Sequence, residues 1–169
     1  MNSRKLLSLF LIIGMLISLF LVYEHFSPKG SELCHIVSGF DCGIVNKSPY
    51  ANIDGIFYLL VIDFNLNLPL LNISDINVFF DLITSNAFLG FLTLLLLYFL
   101  NKNRDRKVLW INKDDNRKWT IGILIFSVIY GAGYLFAIQH FILKTYCLFC
   151  ILLDLTLIVA LVIAVKIKN

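Results

Sequence analysis

Charge is scarce in this sequence. Only 15% of its 169 residues are Asp, Glu, Lys or Arg, against about 25% in a soluble globular chain. That shortage excludes an ordinary water-soluble globule. The net charge of +3 is small and by itself says nothing about nucleic acid; no nucleic-acid partner is expected. Internal repeats and low-complexity tracts are missing as well, and residues 1–169 read as one domain. No small-x-small cleavage site follows the first apolar run, which is therefore read as a retained helix and not a removed signal peptide. Cysteine is sparse, with four residues, and none lies in the middle of an apolar run.

What the chain has instead is apolar length: hydrophobic residues make up 59% of it and mean hydropathy is +0.85. A helix rises about 1.5 Å per residue and the hydrocarbon core is about 30 Å thick, so roughly 20 residues cross it. Four runs come close or exceed that, at 6–23, 82–100, 119–141 and 147–165. The expected fold is an all-α integral membrane protein, a bundle of four transmembrane helices.

Loop charges predict its orientation. Residues 101–118 carry Lys102, Arg104, Arg106, Lys107, Lys113, Arg117 and Lys118; Arg4 and Lys5 lie at one terminus, Lys166 and Lys168 at the other. By the positive-inside rule all three regions face the cytoplasm. The long segment 24–81 has Lys29 and Lys47 as its only basic residues and holds seven carboxylates, so it reads as an outer loop. The expectation is N-in and C-in, in the cell (plasma or inner) membrane.

This topology puts all four cysteines on the outer face, where disulfides persist. Cys147 and Cys150 form C-L-F-C at the start of the last run. There the helix dipole and free backbone N–H groups favour a thiolate on the first sulfur, with the second about 4.5 Å further along the axis. Such a small disulfide ring suits electron transfer. The alternatives are two structural cysteines, or two ligands of a zinc site completed by His35 or His140. Cys34 and Cys42, in the outer loop, read as a second pair, either one stabilising disulfide or the mobile half of a thiol–disulfide relay. No metal is expected.

These residues resemble the vitamin K epoxide reductase (VKOR) family, including prokaryotic members that drive disulfide formation. The resembling features are the loop pair Cys34-x7-Cys42, Ser48 six residues on, Gly55, the stretch Ser85-Asn86 with Gly90, and Cys147-Leu148-Phe149-Cys150. The resemblance implies a bundle around a quinone pocket near the outer surface, capped by the outer loop. It also implies that Cys150 faces the quinone, that Cys147 exchanges with Cys42, and that Cys34–Cys42 exchanges with a thioredoxin-like partner. Asn86 and Ser48 are implied as quinone-site residues. The quinone, of the ubiquinone or menaquinone/vitamin K type, would be a substrate. No thioredoxin-like domain is fused, so the partner is expected in trans.

One position departs from the family. Where the animal vitamin K enzyme has a T-T-Y run ending in a quinone-contacting tyrosine, this chain has Leu152-Leu153-Asp154. That favours a plain membrane quinone over vitamin K epoxide. Asp154 falls one turn below Cys150 and reads either as a proton donor to a reduced quinone or as a hydrogen-bonded interhelical carboxyl. The three histidines read as surface or interfacial residues, Gly131-Ala132-Gly133 as a close-packing stretch, and residues 55–71 as an interfacial anchor. The expected function is quinone-linked oxidation of an extracytoplasmic thioredoxin-like protein. The alternatives are a vitamin K quinone or epoxide reductase proper, and a non-catalytic four-span protein with structural disulfides. A DsbB-type oxidase carries its C-x-x-C in the first outer loop, the reverse of the order found here.

Overall fold

The structure, a computed structural model, describes residues 3–27, 39–63, 65, 73–103 and 113–167. Among these, the α-helices in chain order are α1 (Ser3–Phe26), α2 (Cys42–Asn46), α3 (Gly55–Tyr58), α4 (Val78–Thr84), α5 (Asn86–Lys102), α6 (Lys113–Val128) and α7 (Leu148–Lys166). The frame is a ring of the four long ones: α1 packs on α5 and α7, and α6 on α7 and α5. Beyond Val128, α6 continues through wide π-type turns at Ile129–Leu135 and Ile138–Leu143. Lys144 then reverses the chain with a left-handed backbone (φ 51°), one of the ways helices are ended.

The pattern of α1 shows which solvent the bundle expects. Leu7, Leu11, Gly14, Ser18 and Leu21 are buried at spacings of three and four, one stripe of a helix. On the remaining faces Leu9, Ile12, Leu16 and Leu19 are exposed, Leu16 to 63%. Phe126, Ile129, Leu155 and Val162 extend the same apolar surface over α6 and α7. A bare apolar surface of this extent is unfavourable in water and natural against acyl chains. Ser3–Phe26, Asp115–Leu143 and Leu148–Lys166 are long and apolar enough to cross a membrane; α5, at 17 residues, is apolar but shorter. The chain is an all-α integral membrane protein.

Lipid gives helices no hydrophobic reason to associate, so close packing must hold them together. A side chain at Gly14 would meet the Leu94 methyls at 3.1 and 3.3 Å, and one at Gly90 would meet Ser18 Oγ at 3.2 Å. α1 and α5 therefore touch along these small residues. Of the Gly131-Ala132-Gly133 stretch, only Gly131 is crowded, by the Asp154 carboxyl; Gly133 has nothing within 4 Å. The close packing expected of that stretch comes from a single glycine.

Leu7, Leu11, Leu94, Leu97, Leu124, Leu157 and Ala160 fill one half of the bundle. At that end Asn101 Nδ2 donates to Arg4 O (3.0 Å) and to Ser8 Oγ (2.9 Å), and Arg117 donates to Val165 O (3.1 Å). Arg4, Lys102, Arg117, Lys118 and Lys166 thus gather opposite the cysteines, whereas Lys47 and Lys144 lie at the cysteine end. At the other end a smaller cluster joins Leu21, Val45, Cys42 and Cys147.

One helix start differs from the sequence expectation. The second apolar run was read as a helix from residue 82, with Asn86 about a turn inside. Instead, Leu82–Thr84 close α4, Ser85 is extended (φ −63°, ψ 132°), and Asn86 is the first residue of α5. The segment between α1 and α4 (the outer segment of the expected topology) causes the break: Ile53 N donates to Thr84 O (2.9 Å), and Asn52 pairs with Ser85 in a short antiparallel bridge. Ser85 Oγ then caps α5 by accepting from Phe88 N (3.2 Å).

The outer segment is itself folded where it is described. Asp54 Oδ2 accepts from Ser74 N (3.0 Å) and Ser74 Oγ (2.9 Å), and Asn52 donates to Asp81 (2.8 Å). Phe57 and Ile62, in the stretch expected as an interfacial anchor, are exposed. Residues 64 and 66–71 of that stretch lie outside the described residues.

Candidate functional site

Cys147 caps α7. Its backbone is extended (φ −100°, ψ 115°) and its Sγ accepts from Cys150 N (3.1 Å), the capping geometry that the C-x-x-C spacing anticipates. Cys147 N donates to Gln139 Oε1 (2.8 Å), which fixes the cap to the end of α6. The two sulfurs are joined as a disulfide, with Cα atoms 5.2 Å apart. Cys147 is fully buried and Cys150 partly so.

Cys42 arrives beside this pair by backbone pairing. Asp41 N donates to Tyr146 O (2.9 Å) and Tyr146 N donates to Gly39 O (3.0 Å), a short parallel bridge between Phe40 and Tyr146. The residues that follow the two bridged segments are Cys42 and Cys147. Both are 0% exposed and belong to one cluster with Leu21 and Val45. Asp41 starts α2 at once by accepting from Ile44 N (2.9 Å), which turns Cys42 inward. Cys42 is disulfide-bonded. Cys34 and His35 lie outside the described residues.

Behind the disulfide are two adjoining cavities of about 80 and 190 Å³, which share Asn86, Leu135, Leu153 and Asp154 as walls. Cys150 lines the smaller one with Leu21, Val45, Asn46, Ser48, Tyr50 and Gln139; Cys147 does not reach it. The larger is walled by Ile53, Leu89, Leu94, Phe126, Tyr130 and Leu157. An apolar cavity with a few inward polar groups is the usual form of an organic-ligand site.

Asn86 is held at both ends of its amide. Its Nδ2 donates to Tyr50 O (2.9 Å) in the outer segment, and its Oδ1 accepts from Tyr130 Oη (2.9 Å) on the wide turn of α6. One amide hydrogen is left over, because a side-chain amide carries two. Asp154 faces the same space over Gly131. A phenol hydroxyl does therefore enter the cavity, from α6 and not from the position on α7 where Asp154 stands. Ser48 donates to Val45 O (2.8 Å), bracing the turn after α2, and borders both the inner cavity and an outer polar pocket of about 380 Å³.

His25 departs from the interfacial reading. Its side chain is only 9% exposed, and it lies between the Asn46 carbonyl and Asp81 Oδ1 (2.9 Å), forming part of the wall between the inner cavity and the outer pocket. His140 is exposed and pairs with Tyr146 Oη (2.7 Å). Among the described residues no three His, Cys, Asp or Glu side chains converge as a metal ligand set.

Sequence reasoning thus reached Cys42, Cys147, Cys150, Asn86, Ser48 and Asp154, all around one end of the bundle. It missed Asn46, Tyr130 and Gln139. Asn46 was within reach, since a helix capped by Asp41 places it one turn beyond Cys42. Tyr130 and Gln139 had no signal beyond their place on an apolar helix.

No curated protein matches the chain closely enough to count as a relative. A protein-family model, that of the vitamin K epoxide reductase family, matches residues 5–165. Its members are membrane oxidoreductases that use a quinone. The match begins in the first helix and ends in the last, across both cysteine-bearing segments and every wall of the cavity, and on that extent the chain belongs to the vitamin K epoxide reductase family.

Proposed function

We propose that this protein oxidises the thiols of an extracytoplasmic thioredoxin-like protein and passes the electrons to a membrane quinone. In this reading the bundle spans the membrane four times, N-in and C-in, with α5 as the short span and the cysteine end outside. Support for the orientation comes from Arg4, Lys102, Arg117, Lys118 and Lys166, which lie at the helix ends away from the cysteines. The 17 residues of α5 extend about 25 Å, at the short limit for a crossing.

The observation that carries the reading is the adjacency of Cys42 and Cys147, two buried cysteines from opposite ends of the chain aligned by one backbone bridge. A structural disulfide needs no second disulfide at its side; exchange between pairs does. The partner's dithiol reduces the loop disulfide, Cys42 as a thiolate attacks Cys147, and Cys34 resolves the mixed disulfide. That leaves the Cys147–Cys150 dithiol next to the cavity. Oxidation of that dithiol gives up two electrons and two protons, which convert a quinone to its quinol. The N-terminal turn of α7 favours the thiolate form of Cys147.

The cavity's donor set fits a quinone head. Its walls are apolar, the spare amide hydrogen of Asn86 can take a carbonyl oxygen, and the Asp154 carboxyl stands by to hold a proton. Tyr130 and Tyr50 hold the Asn86 amide in one orientation, and the outer segment keeps water from the ring.

The test is quinone reduction by the purified protein with a reduced thioredoxin-like donor, ubiquinones and menaquinones being compared. Cys147→Ala and Cys150→Ala should abolish turnover with every donor. Cys34→Ala and Cys42→Ala should lose it with the protein donor and keep it with dithiothreitol, which can reach the inner pair. Equal, complete loss for all four with dithiothreitol refutes the relay.

A further inference from the structure

Asn46 closes α2, one turn after Cys42. It is 8% exposed, and its Nδ2 is buried without a hydrogen-bond partner among the described residues. Its side chain lines the smaller cavity beside Cys150 and Asn86, with Oδ1 at 4.0 Å from Cys150 Sγ. A sulfur already in a disulfide has no hydrogen to give, so that contact positions the amide without satisfying it. The main chain there is not free to adjust, because the Asn46 carbonyl is held by His25 at the end of α1. A buried amide donor left unpaired is costly, and nearly all such groups in folded proteins find a partner. This one is fixed in place at the wall of the smaller cavity, next to the sulfur that borders it.

We propose that Asn46 is a quinone-contacting residue whose Nδ2 donates a hydrogen bond to the carbonyl oxygen at the Cys150 end of the ring. The inference rests on the quinone-reducing function proposed above. A 1,4-quinone has two carbonyl acceptors on opposite sides of its ring, and of the three side-chain amides on this cavity's walls, Gln139 is tied by its oxygen to Cys147 N, which leaves Asn46 and Asn86 as the pair for the two carbonyls. In the reaction the two S–H bonds of Cys147 and Cys150 break and one S–S bond forms. Two electrons and two protons convert the two C=O groups to C–OH. Negative charge that builds on an oxygen before its proton arrives is stabilised by a donor already aimed at it. Asn46 then has a reason to be an unpaired polar residue in an otherwise apolar cluster, and α2 carries both this donor and Cys42.

Asn46→Leu keeps the approximate shape and removes the donor. With full-length purified protein, dithiothreitol as reductant and menadione or a short-chain ubiquinone as acceptor, kcat/KM for the quinone should fall about tenfold to a hundredfold. Reduction of the Cys147–Cys150 disulfide by dithiothreitol without quinone should keep its wild-type rate. The quinone-free melting temperature should hold or rise, because an unpaired buried donor has been removed, and the rise in melting temperature on adding menadione should shrink. An unchanged kcat/KM, or a loss accompanied by a lowered quinone-free melting temperature and slower disulfide reduction, overturns the assignment of Asn46. Failure of the wild-type protein to reduce any quinone refutes the underlying function and this proposal with it.

Discussion

Gly55→Ala puts the coupling between the outer segment and the cavity to a direct test. Gly55 opens α3, and its φ lies outside the left-handed region, so backbone freedom is not what glycine supplies there. In a helix, Gly→Ala should stabilise by up to about 1 kcal/mol. Packing dictates the opposite sign. A Cβ at 55 would lie 2.6 Å from Tyr50 Cα and 2.7 Å from Pro49 O, where ordinary contact starts at 3.4 Å. Both obstacles are backbone, so relief means moving the 49–51 turn by most of an ångström. That turn presents the Tyr50 carbonyl to Asn86 Nδ2 at 2.9 Å, a bond such a shift would stretch beyond useful length. Overpacking costs about 1–3 kcal/mol and the lost bond about 0.5–1.5 kcal/mol, for a total of about 1.5–4.5 kcal/mol. The melting temperature should fall by roughly 5–15 °C, and KM for quinone should rise because Asn86 has lost one of its two restraints. Gly133→Ala, with open space around it, is the control and should hold the melting temperature or raise it by a few degrees. If Gly55→Ala melts and turns over like the parent, the turn is not wedged against α3 and the reasoning fails.

Three further outcomes are expected. The double variant Cys34→Ser, Cys150→Ser should accumulate a Cys42–Cys147 disulfide, because neither resolving thiol remains; peptide mass spectrometry that finds both sulfurs free in the folded, oxidised protein refutes the exchange. Tyr130→Phe should lower kcat/KM for quinone roughly twofold to tenfold through loss of its bond to Asn86, whereas Tyr134→Phe should not, since the Tyr134 hydroxyl has no partner among the described residues. A membrane-impermeant thiol reagent applied to intact cells after mild reduction should label the loop cysteines, and labelling that needs broken membranes would invert the proposed orientation.

The parts of this fold legible in the sequence are those set by short-range chemistry. Apolar run length announces the long helices, and a cysteine in a C-x-x-C at a helix start is both cap and partner, as Cys147 proves to be. The boundary at Ser85 was hidden because the residues before it, Leu82 to Thr84, continue the apolar run. What stops the helix there is a bridge to Asn52, more than thirty residues away. Asn86 was found through its setting in the S-N-x-x-x-G stretch, although its depth was misjudged for the same reason. Tyr130, His25 and Asn46 owe their roles to the docking of the outer segment on the bundle, a long-range event that leaves no local pattern. His25 shows the difference: at the end of an apolar helix it looks interfacial, until Asn46 and Asp81 close around it.

The bridge between Phe40 and Tyr146 has a kinetic consequence. Two segments stitched together by main-chain hydrogen bonds do not search for each other, so in the proposed relay the handover between disulfides would be a first-order event with a high local concentration of its reactants. Diluting the enzyme will not slow it. In the proposed relay the encounter with an external thiol protein would be the one bimolecular disulfide step, and turnover at low donor concentration should scale with collisions between the two proteins. Substitutions that loosen the stitch, such as proline at Asp41 or Tyr146, where the backbone N–H would be lost, should introduce a slow unimolecular phase that no excess of donor removes.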